Sequence, residues 1–221
     1  MIKWINDPNF NDLKIEYETS IGMADAIPLM QMAQNILKNY DLQNGEGLAL
    51  LSSNAISMSE LCFTLVKLEK LLHLSELSTA LALVAENGNQ SIIKEPGLNA
   101  SQHWTEKQNI ILRISQLLKY FPDHQDSPHS HLALRACCDI LASANEAFTY
   151  ATKILEDTMN SHQGNPYICH DSGKIGSVAN FDTTRLYNVL SYLQTSLGNL
   201  FLSMVRRGEY KVSKRLRLVE K

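Results

Sequence analysis

From Ser57 to Ala85 the chain sets Leu61, Leu65, Leu68, Leu71, Leu72, Leu74, Leu77 and Leu81 at intervals of mostly three or four residues, with no proline or glycine between them. Only an α-helix returns side chains to one face at that spacing. A helix of this length spans roughly 40 Å at about 1.5 Å per residue, more than a compact monomeric domain requires. Apolar residues nearly encircle part of it, so it belongs inside a bundle or between subunits, or forms a groove for a partner.

The same period recurs elsewhere. Residues 24–38 carry Ile27, Met30, Ala33 or Gln34, and Leu37; residues 105–120 carry Ile110, Ile111, Ile114, Leu117 and Leu118. Residues 130–159 carry Cys137, Ile140, Leu141, Ala144, Ala147, Phe148, Ala151, Ile154 and Leu155. Residues 184–205 carry Leu186, Val189, Leu190, Leu193, Leu197, Leu200, Phe201 and Met204. β-Branched residues do not alternate with polar ones. The expected fold class is all-α: an elongated bundle of long antiparallel helices that associate side by side. "NYDLQNGEG", "FPDHQDSPHSH" and residues 160–182 read as loops, and Gly88 as a helix C-cap. A connection as long as 160–182 is a place to look for function.

The 221 residues carry a net charge of −3, which argues against a nucleic-acid or membrane partner. The basic end from Arg206 to Lys221 reads as a solvated tail or as a contact for an acidic partner or neighbouring subunit. Cys62, Cys137, Cys138 and Cys169 show no framework spacing, so they read as reduced thiols of a cytoplasmic protein, Cys62 and one of the adjacent pair in the core. "MIKWINDPNF" has no apolar stretch like that of a signal peptide. His124, His129 and His131, with Cys169 and His170, could ligate zinc, but match no standard module; solvated loop histidines explain them better, and no metal is expected. Ser52, Ser53 and Asn54 could hold a substrate or cap the long helix. Phosphate loops, nucleophile elbows and dinucleotide fingerprints are absent from the sequence.

Several stretches together resemble the aromatic amino acid ammonia-lyases. "EGLALLSSNA" resembles E-G-L-A-L-I-N-G-T, "LRACCDILASA" resembles S-L-R-C-x-P-Q-V-x-G-A, and "MNSHQGNPYI" resembles I-N-S-x-x-D-N-P-L. "SVANF" resembles S-G-G-N-F and "MVRR" resembles S-E-R-R, and the register from Arg135 to Arg207 needs no gap. "TSIGMADAIPLMQMA" resembles G-S-[IV]-G-A-S-G-D-L-A-P-L-A-x-[ML]-A. The resemblance implies the family's central helical core over residues 19–208, after an irregular segment 1–18 and before a basic tail 209–221. It also implies a homo-oligomer through the long helices, with a tetramer as one option.

In the family an internal Ala-Ser-Gly cyclises into a methylidene-imidazolone electrophile. The closure requires a Ser to dehydrate and a Gly nitrogen able to approach a carbonyl. Here the remnant is Gly22, Met23, Ala24 and Asp25, one residue short, without that Ser or second Gly. No cofactor is therefore expected. The family's Asn beside that group falls at Ser52, its Tyr at Leu132, and its His or Gln after Asn-Phe at Asp182. The resemblance puts Arg135 on a small carboxylate ligand, with Ser52, Asn54, Asn180 and Phe181 around it. Two functions follow: a degenerate family member that oligomerises or binds a ligand, including association with a full-length lyase; or a carbon–nitrogen lyase using a side-chain base. Asp182, His170 and His162 are the candidates for that base.

Overall fold

The computed structural model describes residues 25–37, 40–122 and 130–219. Helices dominate: α1 (Ala26–Ile36), α2 (Glu46–Leu51), α3 (Ala55–Ala85), α4 (Glu95–Ala100), α5 (Thr105–Leu117), α6 (Leu132–Arg135), α7 (Cys137–Met159) and α8 (Thr184–Val219). A two-stranded antiparallel hairpin, β1 (Tyr167–Ile168) and β2 (Ile175–Gly176), pairs Tyr167 with Gly176 and Ile168 with Ile175. The chain divides into two compact units, Met1–Cys62 with Ile154–Asn188, and Phe63–Lys153 with Val189–Lys221.

In the first unit, Gly45 enters α2 at φ 89°, a left-handed conformation that favours glycine. The Glu46 carboxylate reaches back to the Gln43 N–H at 2.8 Å and fixes that turn. The start of α3 is held from outside the helix. Asn54 supplies the first backbone acceptor, to Met58 N–H at 3.0 Å, but no side chain of residues 52–54 caps the Ser57 N–H. Buried Asp25 does so at 2.8 Å, and also accepts the Ser57 hydroxyl. The capping expected of Ser52, Ser53 or Asn54 is shared: Ser53 Oγ accepts the Ala55 N–H at 3.1 Å, and Asp25, 32 positions upstream, takes the Ser57 N–H.

In the second unit, Leu65, Leu68, Leu72 and Leu83 of α3 are buried, as are Ile110, Ile111 and Ile114 of α5 and Leu141, Ala144, Ala147 and Ala151 of α7. The alanines let a facing backbone approach closely while density stays high. Glu76 is buried and ion-paired with Arg113, at 2.9–3.1 Å. Arg207, also buried, donates to Thr79 Oγ1 at 2.7 Å.

Several expectations are corrected. Leu71, Leu74, Leu77 and Leu81 are exposed within the single chain, as are Leu117 and Phe201, so of the two placements expected for the Leu-rich helix, inside a bundle or between subunits, the first does not hold for this face. Cys62 is exposed, while Cys137 and Cys138 are both buried with sulfurs 3.9 Å apart. At the end of α3 it is Asn87, at φ 48°, that turns left-handed; Gly88 follows and donates its N–H to Leu83 O at 2.8 Å. The helix expected from Ser130 is interrupted at Ala136. The basic end continues α8 to Val219 rather than fraying at Val205. The segment Glu46–Ala85 is long and apolar enough to cross a membrane by length and composition, with 28% of its most apolar window buried within the chain.

Candidate functional site

The first unit contains a cavity of about 240 Å³. The end of α7 provides one wall. There Thr158 Oγ1 donates to Ile154 O at 2.7 Å, and Ser161 Oγ donates to Thr158 O at 2.8 Å. His162 follows, its ring edge-on to Tyr167 with centroids 4.8 Å apart. The turn into α8 provides Asn180 and Asp182, whose carboxylate accepts the Thr184 N–H at 2.9 Å and caps the helix. In the first turn of α8, Arg185 pairs with Asp157 at 3.0 Å, and Leu186 adds an apolar surface. Asn54 also lines the cavity, 0% exposed, with neither its amide nitrogen nor its amide oxygen hydrogen-bonded.

Of the residues singled out in the sequence, Asn54, Asn180, His162 and Asp182 meet at this cavity. Ser52 is buried but ends α2 and does not line it, and neither does half-buried Phe181. His170 is fully exposed beside Asp171, 3.9 Å away, which removes it from this site. Arg135 belongs to the second unit. It ends the one-turn helix α6, exposed, and among the described residues it makes no ion pair. Gly22, Met23 and Ala24 lie outside the described residues, as do His124 and His129. His131 caps α6, its Nδ1 accepting the Ala133 N–H at 3.2 Å. Among the described residues no group of three or more His, Cys, Asp or Glu is placed to hold a metal.

Arg185 is what sequence reasoning missed. A signal existed: a cation in the first turn faces the positive end of the helix dipole, an unfavourable place without a reason. The second unit has its own cavity, about 770 Å³, lined by Leu132 and Ala136 on one side and Arg206 and Glu209 on the other. Ser203 lines it with a buried hydroxyl that has no partner.

Of the thiols, Cys169 differs in chemistry. The neighbouring Ser172 and the Ser172 and Asp171 backbone lower its pKa; the Cys137 thiol is lowered as well but is buried, and the contact with Cys137 together with burial pushes the Cys138 thiol up. Iodoacetamide is therefore expected to alkylate Cys169 ahead of buried Cys137 and Cys138 in the folded chain. Ser172→Ala removes the main stabiliser of the thiolate, so the pH profile of Cys169 alkylation, followed by mass spectrometry, should move to higher pH. An unmoved profile would remove Ser172 from the account.

Comparison with known proteins fits this helical core and its loop motifs. The family model for aromatic amino acid lyases matches residues 23–219. No curated protein matches. Among solved structures, the ergothioneine-degrading enzyme ergothionase from Treponema denticola, in complex with desmethyl-ergothioneine sulfonic acid, superposes with a TM-score of 0.69 at 25% identity. That match covers 81% of this chain and 37% of the ergothionase chain, so the present chain corresponds to well under half of that enzyme. With every described residue inside the matched range, the chain belongs to the aromatic amino acid lyase family.

Proposed function

We propose that this chain is a family member that does not build the methylidene-imidazolone group and serves as an oligomerising, small-carboxylate-binding protein. The residues at 22–25, Gly-Met-Ala-Asp, do not fit the group: they offer no hydroxyl to eliminate and no glycine amide after it. The observation that carries ligand binding is the unpaired amide of Asn54 in a polar cavity. An unsatisfied buried polar group costs about 1–3 kcal/mol, and its retention calls for a partner that arrives from outside.

Two measurements test this. The intact mass should equal the unmodified sequence; a chain lighter by two waters would contradict the reading. Incubation with histidine, phenylalanine or tyrosine should give no absorbance from an unsaturated acid. Release of that product with an unmodified mass would favour the second reading, a lyase with a side-chain base. His162 and Asp182, both lining the cavity, support that alternative.

Self-association is supported by the exposed apolar side chains of α3, among them Phe63, Leu74 and Leu81. Leu74→Glu, at a position 59% exposed, should leave the fold intact and shift the mass measured by light scattering toward the monomer. A wild-type chain that is already monomeric would remove the oligomer. Association with a full-length lyase is the variant tested by co-purification.

A further inference from the structure

We infer that Cys137 is a thiolate in the folded chain, the counter-ion of buried Arg207, and that this pair is a pH-sensitive tie between α7 and α8. The reason begins with the arginine. Arg207 is 8% exposed, and among the described residues it forms no ion pair. Its hydrogen bond goes to Thr79 Oγ1 at 2.7 Å, a neutral hydroxyl whose own proton is given to Ser75 O at 2.8 Å. A guanidinium keeps its charge at any physiological pH, so one held out of water calls for a negative partner.

Cys137 is placed to be that partner. It opens α7, a helix of 23 residues, and the N-terminal end of a long helix favours an anion. Its sulfur lies 3.9 Å from that of Cys138, which can give it an S–H hydrogen bond. It belongs to the same unit as Arg207, feels the guanidinium charge, and is 2% exposed, so little water screens the two. The hydrogen bond from Cys138 foremost, and Arg207 after it, lower the Cys137 pKa against the opposing effect of burial. The other charges around the pair are already matched. Asp139, next but one on α7, opposes a second negative charge, but Lys107 of α5 holds it at 2.7 Å. On α3, Glu76 is held by Arg113 at 2.9 Å. On α8, Arg206 and Glu209 line the second-unit cavity.

The direction of the pH effect follows. The thiol is lowered in the folded chain relative to about 8.5 in an unfolded one. The stabilisation is therefore complete above that ordinary value and is lost as pH falls through the folded pKa. Protonating Cys137 strands the Arg207 charge and loosens the start of α7, which follows directly on α6 and Arg135.

The test is an ultraviolet titration of thiolate absorbance in the full chain carrying Cys62→Ser and Cys169→Ser, so that the buried pair alone absorbs. The first of the pair's two protons should leave about one pH unit or more below the ordinary thiol value, and Cys137→Ser should abolish that step. Arg207→Met should raise the step by about one pH unit or more, while Arg206→Met should leave it in place. Arg207→Gln, uncharged but still a donor, gives the same readout should the methionine variant not fold. Urea midpoints should fall more steeply on acidification with Cys137 than with Cys137→Ser. A first step at or above the ordinary thiol value overturns the thiolate. A lowered step that neither Arg207 variant moves overturns the pairing with Arg207.

Discussion

Replacing Arg113 with alanine is expected to destabilise the chain by about 3–5 kcal/mol, read as a lowered urea midpoint. The reason lies in its partner. Glu76 is 4% exposed, and its carboxylate is satisfied by Arg113 through Nε and a second guanidinium nitrogen, at 2.9–3.1 Å. Burial alone would lower the arginine's pKa, but hydrogen bonds and charge from Glu76 and then Glu106 outweigh it and raise it. Removing the guanidinium leaves a carboxylate inside the second unit with nothing to offset its lost hydration. Adding Glu76→Gln to Arg113→Ala removes the stranded charge, so the double variant should recover part of the loss. A single-variant effect below about 1 kcal/mol would mean that solvent reaches Glu76 freely.

Asn54→Leu should act in the other direction. With no ligand present, the wild-type chain carries two unpaired amide atoms in a fully buried side chain. A leucine of similar size has no such atoms, so the variant should gain about 1–3 kcal/mol in unfolding free energy. The same change should weaken the binding of a small carboxylate in the cavity that Asn54 lines. A residue that lowers stability yet holds the site together is the expected sign of function kept at the expense of the fold. A variant that is destabilised instead would indicate that an ordered water already pairs with the amide.

The helices were legible because their period is strict. Leu61, Leu65, Leu68 and Leu72 are buried at the spacing that announced them. Which face of α3 would stay open was not legible, since leucine occupies both. The break at Ala136 had no local marker either: neither glycine nor proline stands there. At the cavity, Asn54, His162, Asn180 and Asp182 could be named from loop motifs. His170 was chosen by proximity in sequence, and a hairpin turn carries it into solvent. Arg135 was carried over from the family pattern, and sequence position alone did not give its surroundings. Arg185 stood outside every motif, and only the fold brings it to Asp157 and the cavity.

The grip of Asp25 on the first turn of α3 has a practical consequence for engineering. The carboxylate on the downstream side of the shortened stretch is already moored. A graft that restores Ala-Ser-Gly ahead of it would lengthen the chain by one residue while leaving that mooring untouched. Such a chimera isolates the ring-forming tripeptide as the single variable, on a scaffold whose neighbouring anchor does not need to be redesigned.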